Sequence, residues 1–238
     1  MSDQKRHYNS HYKLALSMWF FSFIFCALYF FGAMARSGIA FESLVSMPKS
    51  LVILWKGLAE GLLVLASLIV ARSGNSMKLA LSVFMIFIAD MVLALGAVPA
   101  AGLIFAMAHL LAAFVYLSSS LNPVRPMMKL ISLVPILLVL AVLIYSVVND
   151  NFQIIVVFPI FSAIATLGAL RSDYPWFLNG VGTTLIWVSD MLFVFAVLSW
   201  GTAVSVGWLV WLTFSSGLLL IVLGLVKNRI QLSALEAN

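Results

Sequence analysis

Five ionisable side chains interrupt long apolar runs of this sequence: Lys56 and Glu60 four residues apart, then Asp90, His109 and Asp190. An ionisable group at membrane depth costs roughly 2.5–3.5 kcal/mol on insertion scales, so it faces a protein interior or a wet cavity and is read as functional by default. Two aspartates can divide acid and base work. A low-dielectric site favours the neutral acid and a neighbouring cation favours the carboxylate, so one group can give a proton while the other activates water or steadies a developing positive charge. Lys56 and Glu60, at i and i+4, share a helix face and suit a structural ion pair; the alternative is that Lys56 holds a carboxylate or a lipid phosphate. For Asp90 and Asp190 the plainer reading is hydrogen bonding between helices to Ser or Thr, and for His109 a satisfied interior histidine. One His, two Asp and one Glu form a hard-ligand set, but no local ligand spacing accompanies them, so no metal site is assigned.

The elements that must position these residues are membrane spans. The chain has 238 residues, of which 64% are hydrophobic and 9% charged, with a mean hydropathy of +1.15. Soluble domains carry about 25% charged residues and disordered chains need few apolar ones, so both classes are excluded. Long apolar runs broken by Gly, Pro, Asn or charge predict an all-α bundle of eight spans in a single domain: about 14–35, 50–71, 78–97, 100–119, 129–148, 153–170, 177–199 and 205–226. Pro99 with Gly102, the turn at 122–126, Asn149 to Asn151 and the turn at 171–175 mark the seams. The runs are continuous rather than alternating, which argues against a β-barrel. The first run follows a polar, basic start and has no small-residue cleavage pattern behind it, so it is read as a retained span. Cys26 is the single cysteine, leaving no disulfide framework within one chain.

Basic residues set the orientation. Lys5, Arg6, Lys13, Arg72, Lys78, Arg125, Lys129, Arg171, Lys227 and Arg229 fall on one side, only Arg36 and Lys49 on the other, and Lys56 lies within a span. The positive-inside rule then puts both termini in the cytoplasm. The net charge of +5 is a topology signal and calls for no nucleic acid. At about 1.5 Å of rise per residue, Lys56, Glu60, His109, Asp90 and Asp190 lie roughly 9, 15, 13, 10 and 13 Å below the non-cytoplasmic face, in one layer. Ile88–Val98 and Val188–Leu198 are weakly alike and four spans apart, as two parallel four-helix halves would require. Gly57, Gly61, Gly102 and Gly182 are read as allowing close helix approach, and most Phe and Trp as lipid-facing or interfacial. Walker, dinucleotide, His-Glu-x-x-His and Gly-x-Ser-x-Gly patterns do not occur in the sequence.

Trp55-Lys56-Gly57-Leu58, Ile88-Ala89-Asp90-Met91-Val92-Leu93, Gly102-Leu103 through Ala108-His109, and Gly182 through Ser189-Asp190 together resemble the YhhN family of integral membrane lysoplasmalogenases over about residues 49–195. The family pattern has Lys-Pro, Gly-Asp-x-x-Leu, Gly-Leu-x-x-Phe-x-x-Ala-His and Gly-x-x-x-Phe-x-x-Ser-Asp in the corresponding spans. This chain departs from it at Gly57, Ala89, Ala112 and Leu218. The resemblance implies an eight-span hydrolase in a bacterial inner membrane or a eukaryotic endomembrane. Its substrate would be a lysophospholipid with a vinyl-ether chain, cleaved to a fatty aldehyde and glycerophosphocholine or glycerophosphoethanolamine without a cofactor. Asp90 and Asp190 would be catalytic, with Lys56, Glu60, His109 and Ser189 supporting them or binding substrate. The alternative is a proton-coupled transporter of small molecules or lipids, since buried Asp, Glu, His and Lys also form proton relays.

Overall fold

In the computed structural model the described residues are 2–36, 48–71, 74–119, 133–148, 158–172, 174–199 and 203–236. They form eight helices: α1 (Ser2–Arg36), α2 (Lys49–Val70), α3 (Gly74–Ala94), α4 (Val98–Ser118), α5 (Val134–Val148), α6 (Phe158–Arg171), α7 (Trp176–Ser199) and α8 (Ala203–Glu236). Six of them are long and apolar enough to cross a membrane, over Ser10–Ala35, Ser50–Val70, Gly74–Ala94, Val98–Ser118, Phe177–Ala196 and Gly207–Ile230. The chain is therefore an all-α, multi-pass integral membrane protein. The described parts of the remaining two are 15 residues in α5 and 14 in α6, each about 21–23 Å long against a hydrocarbon core of about 30 Å. The start of the span expected at 129–148, the first residues of that at 153–170, the turn at 122–126 and Asn149 to Asn151 lie outside the described residues.

Helix boundaries differ from the sequence reading where apolar residues continue through a turn. Helix α3 ends at Ala94, not near residue 97. Gly96 adopts φ 88°, its N–H reaches Leu93 O at 2.9 Å, and Ala97 N–H reaches Val92 O at 3.2 Å. This pair of bonds is a Schellman cap, which a glycine in the left-handed region permits at no steric cost. Pro99 then sits in the first turn of α4, where its missing N–H is harmless. The helices α1 and α8 extend beyond the expected apolar segments into polar sequence at the two ends of the chain.

Contacts run α1–α2, α2–α3, α3–α4, α4–α6, α6–α7, α7–α8 and α8–α1, so these helices close a ring; α8 also touches α2, and α5 rests against α6 and α7. Side-chain hydrogen bonds to backbone carbonyls tie the ring together inside the apolar region. Ser22 donates to Ala59 O at 2.7 Å, Ser82 to Ala108 O at 2.8 Å, Thr166 to Thr183 O at 3.0 Å and Trp19 Nε1 to Leu219 O at 2.8 Å. Such bonds hold helices together where lipid gives no hydrophobic drive for association.

Helices α7 and α8 approach each other closely at a pair of glycines. A Cβ on Gly182 would stand 2.8 Å from Gly217 O, and one on Gly217 only 2.6 Å from Gly182 O. The expected close approach thus holds at Gly182, with Gly217 as its unanticipated partner. At Gly61 nothing comes within 4 Å, and at Gly57 the nearest atom is Met91 Sδ at 3.7 Å, so neither is needed for packing. Gly217→Ala is expected to destabilise the protein despite its better helix propensity. The obstructing atom is backbone and cannot rotate away, and overpacking costs about 1–3 kcal/mol against a propensity gain of about 1. A lower unfolding temperature in detergent checks this; an unchanged one would show that α7 and α8 slide apart without cost.

Candidate functional site

Lys56 on α2 and Asp90 on α3 meet across the helix pair. Nζ lies 2.6 Å from Asp90 Oδ2, with both side chains at least nine-tenths buried. The ammonium also faces the rings of Trp211 at 5.2 Å and Tyr29 at 5.8 Å, themselves packed with centroids 4.4 Å apart. A buried ion pair is tolerable only when further groups replace lost hydration, and two aromatic faces do so for this cation. The expected Lys56–Glu60 ion pair is therefore corrected: the long lysine reaches across to the next helix, and its ion-pair partner is Asp90. Glu60, one turn along α2 from Lys56, is 1% exposed.

The second pair joins α4 to α7 across the interior of the ring: His109 Nε2 is 3.3 Å from Asp190 Oδ2. Phe105, one turn before His109, lies nearly parallel to the imidazole with centroids 6.3 Å apart and meets the face of Phe214 edge-on. The ring is therefore held in orientation by packing. Beside Asp190, Ser189 donates to Val210 O at 2.9 Å. Its proton is committed to joining α7 to α8, making it a positioning residue. The expectation that the aspartates bond to Ser or Thr gives way to these two pairings with Lys56 and His109, because the basic partners come within reach once the ring closes.

Asp90, Lys56, Ser189 and Asp190 line one cavity of about 190 Å³, whose remaining wall is largely aromatic: Tyr29, Phe105, Phe193, Trp211 and Phe214. Three of the five residues expected in one layer, Lys56, Asp90 and Asp190, thus converge on one space. Glu60 and His109 stand behind the two aspartates. The aromatic wall went unread in the sequence, where Trp was assigned to interfaces; Trp211 is 4% exposed and Trp187 6%. The spacing of Phe105 to His109 (i, i+4) and of Trp211 to Phe214 (i, i+3) was the available signal. Among the described residues no group of three or more His, Cys, Asp or Glu is arranged to hold a metal ion. No protein-family model, curated protein or solved structure matches the chain. The site is accordingly read from its geometry.

Proposed function

We propose that this protein is a membrane-embedded hydrolase that cleaves the vinyl-ether bond of lysoplasmalogens, as its resemblance to the YhhN lysoplasmalogenases implies. The observation that carries the reading is the pair of buried aspartates on α3 and α7, lining one cavity and backed by different bases, Lys56 and His109. Vinyl-ether cleavage needs that division of labour. Protonation of the β-carbon gives an oxocarbenium ion, water adds to it, and the hemiacetal collapses to a fatty aldehyde and glycerophosphocholine or glycerophosphoethanolamine, with one carboxyl acting as acid and the other as base. The aromatic faces around the cavity suit a transient cation.

A cavity of about 190 Å³ accommodates the glycerol portion and the reacting bond while the alkenyl chain lies between helices in lipid. A one-chain lipid with its head group at the interface puts the vinyl ether about 10 Å lower, level with the acidic layer. The proposal includes eight spans with both termini cytoplasmic, which the distribution of Lys and Arg supports. Neighbour contacts α1–α2, α2–α3 and α3–α4 recur as α5–α6, α6–α7 and α7–α8, in favour of two parallel halves. The test is aldehyde release from lysoplasmenylcholine and lysoplasmenylethanolamine by purified protein in detergent. Stoichiometric aldehyde and glycerophospho-alcohol are expected. Folded protein that releases neither, and instead drives pH-dependent uptake into proteoliposomes, would replace the hydrolase with the transporter.

A further inference from the structure

A second, smaller cavity of about 20 Å³ is lined by His109 together with Ser82, Tyr116, Ser162 and Thr183. Each of these hydroxyls already spends its proton elsewhere. Ser82 donates to Ala108 O at 2.8 Å, Ser162 to Pro159 O at 3.1 Å, Thr183 to Asn179 O at 2.8 Å and Tyr116 to Asn179 Oδ1 at 3.0 Å. Toward the chamber they offer lone pairs only. The volume exceeds the roughly 10–15 Å³ that one water occupies, and a polar wall with two to four partners is what retains a buried water. Both hydrogens of such a water go to hydroxyl oxygens, so its own oxygen must accept from an N–H or O–H donor. Among the side chains lining the chamber, only the imidazole can supply one. His109 Nε2 lies 3.3 Å from Asp190 Oδ2, which leaves Nδ1 for the water.

We infer that the chamber binds one water molecule that accepts a hydrogen bond from His109 Nδ1–H and thereby leaves Nε2 and Asp190 Oδ2 to share a single mobile proton. With Nδ1 protonated, a neutral imidazole presents a lone pair at Nε2 and must meet a protonated Asp190, whereas an imidazolium meets a carboxylate. In both arrangements one proton lies between Nε2 and Oδ2. Orientation of a histidine through its second nitrogen is the usual way its tautomer is fixed.

Resting on the hydrolase reading, this assigns the roles that the aspartate pair leaves open. Asp190 is the acid, and Asp90, held by the Lys56 ammonium, is the carboxylate. Asp190 gives its proton to the β-carbon, whose new C–H bond takes the π electron pair while the ether oxygen stabilises the cation. Asp90 takes a proton from the water that adds. On collapse of the hemiacetal, its hydroxyl proton returns to Asp190, and Asp90 gives its proton to the departing glycerol oxygen, which restores both groups.

The test uses full-length protein in lipid vesicles, with ¹⁵N-labelled histidine and His7→Gln and His11→Gln leaving His109 as the sole signal, since the chain has three histidines. A protonated Nδ1 with a cross-peak to water is expected. Ala112 also lines the chamber, and Ala112→Val should fill it, abolish the water cross-peak and lower turnover roughly 100-fold with KM unchanged, the lower end of what a positioned proton donor contributes. Should that variant not fold, Ser162→Ala with Thr183→Val preserves volume, removes two acceptors and should likewise weaken the cross-peak. An unprotonated Nδ1 in the parent, or a water cross-peak that persists in both folded variants, overturns the inference. Because the spectrum is read without substrate, an intact water signature in a protein that releases no aldehyde would count against the hydrolase and not against the water site.

Discussion

Asp190→Asn is expected to lower aldehyde release by roughly 100- to 10,000-fold, the range that a positioned proton donor or acceptor contributes, while leaving the unfolding temperature close to that of the parent. The substitution preserves shape and replaces an ionisable oxygen with an amide. Beside His109 an amide can still donate to or accept from Nε2, and a neutral imidazole needs no counter-charge, so the α4–α7 contact survives. What is lost is the capacity to hand a proton to carbon. Asp90→Asn should abolish turnover as well, but it also removes the counter-ion of Lys56, and its activity loss is mixed with a stability loss. Asp190→Asn is therefore the cleaner measurement, made by aldehyde release together with thermal unfolding of the same sample. A folded Asp190→Asn protein with parental activity would remove Asp190 from the chemistry and end the two-carboxylate proposal.

The residues of that site were legible in the sequence because a charge inside an apolar run has few innocent explanations. Lys56, Glu60, Asp90, His109 and Asp190 stand out against their surroundings, and constant helical rise sufficed to assign them to one layer. Their pairing was not legible. Periodicity relates residues on one helix, which is why Lys56 was matched to Glu60, whereas the observed bond to Asp90 depends on which helices are neighbours in the ring. The aromatic wall escaped for a related reason. Trp and Phe are also what a lipid-facing surface uses, and Phe20, Phe21, Phe23 and Phe114 are indeed more than half exposed. Residue type alone does not separate these from the buried Trp211. Apolar composition likewise hid the end of α3: Pro99 marks the seam, but the turn itself is made at Gly96. Ala112 and Leu218, two of the four positions at which the chain differs from the YhhN pattern it resembles, both line the chamber beside His109.

Lys56→Met is expected to be the most destabilising single change in the bundle. Methionine matches the length and apolar stem of lysine, so packing against Tyr29 and Trp211 is largely kept and the loss isolates the charge. Asp90 is 5% exposed and Glu60 1%, and among the described residues Lys56 is the cation paired with Asp90. Removing one partner of a buried pair typically costs about 3–5 kcal/mol, because the remaining charge is left uncompensated or must be neutralised. The double variant Lys56→Met with Asp90→Asn should recover most of that loss, since replacing both members of a buried pair by neutral groups is often nearly neutral. A double-mutant cycle on unfolding in detergent measures the coupling directly. Only a charge-based account predicts that the second substitution rescues the first. If the two losses simply add, the 2.6 Å contact contributes packing rather than electrostatics, and Asp90 does not depend on Lys56 for its ionised state. In that case the division of the aspartates into acid and carboxylate would lose its physical basis, even if both remained essential for turnover.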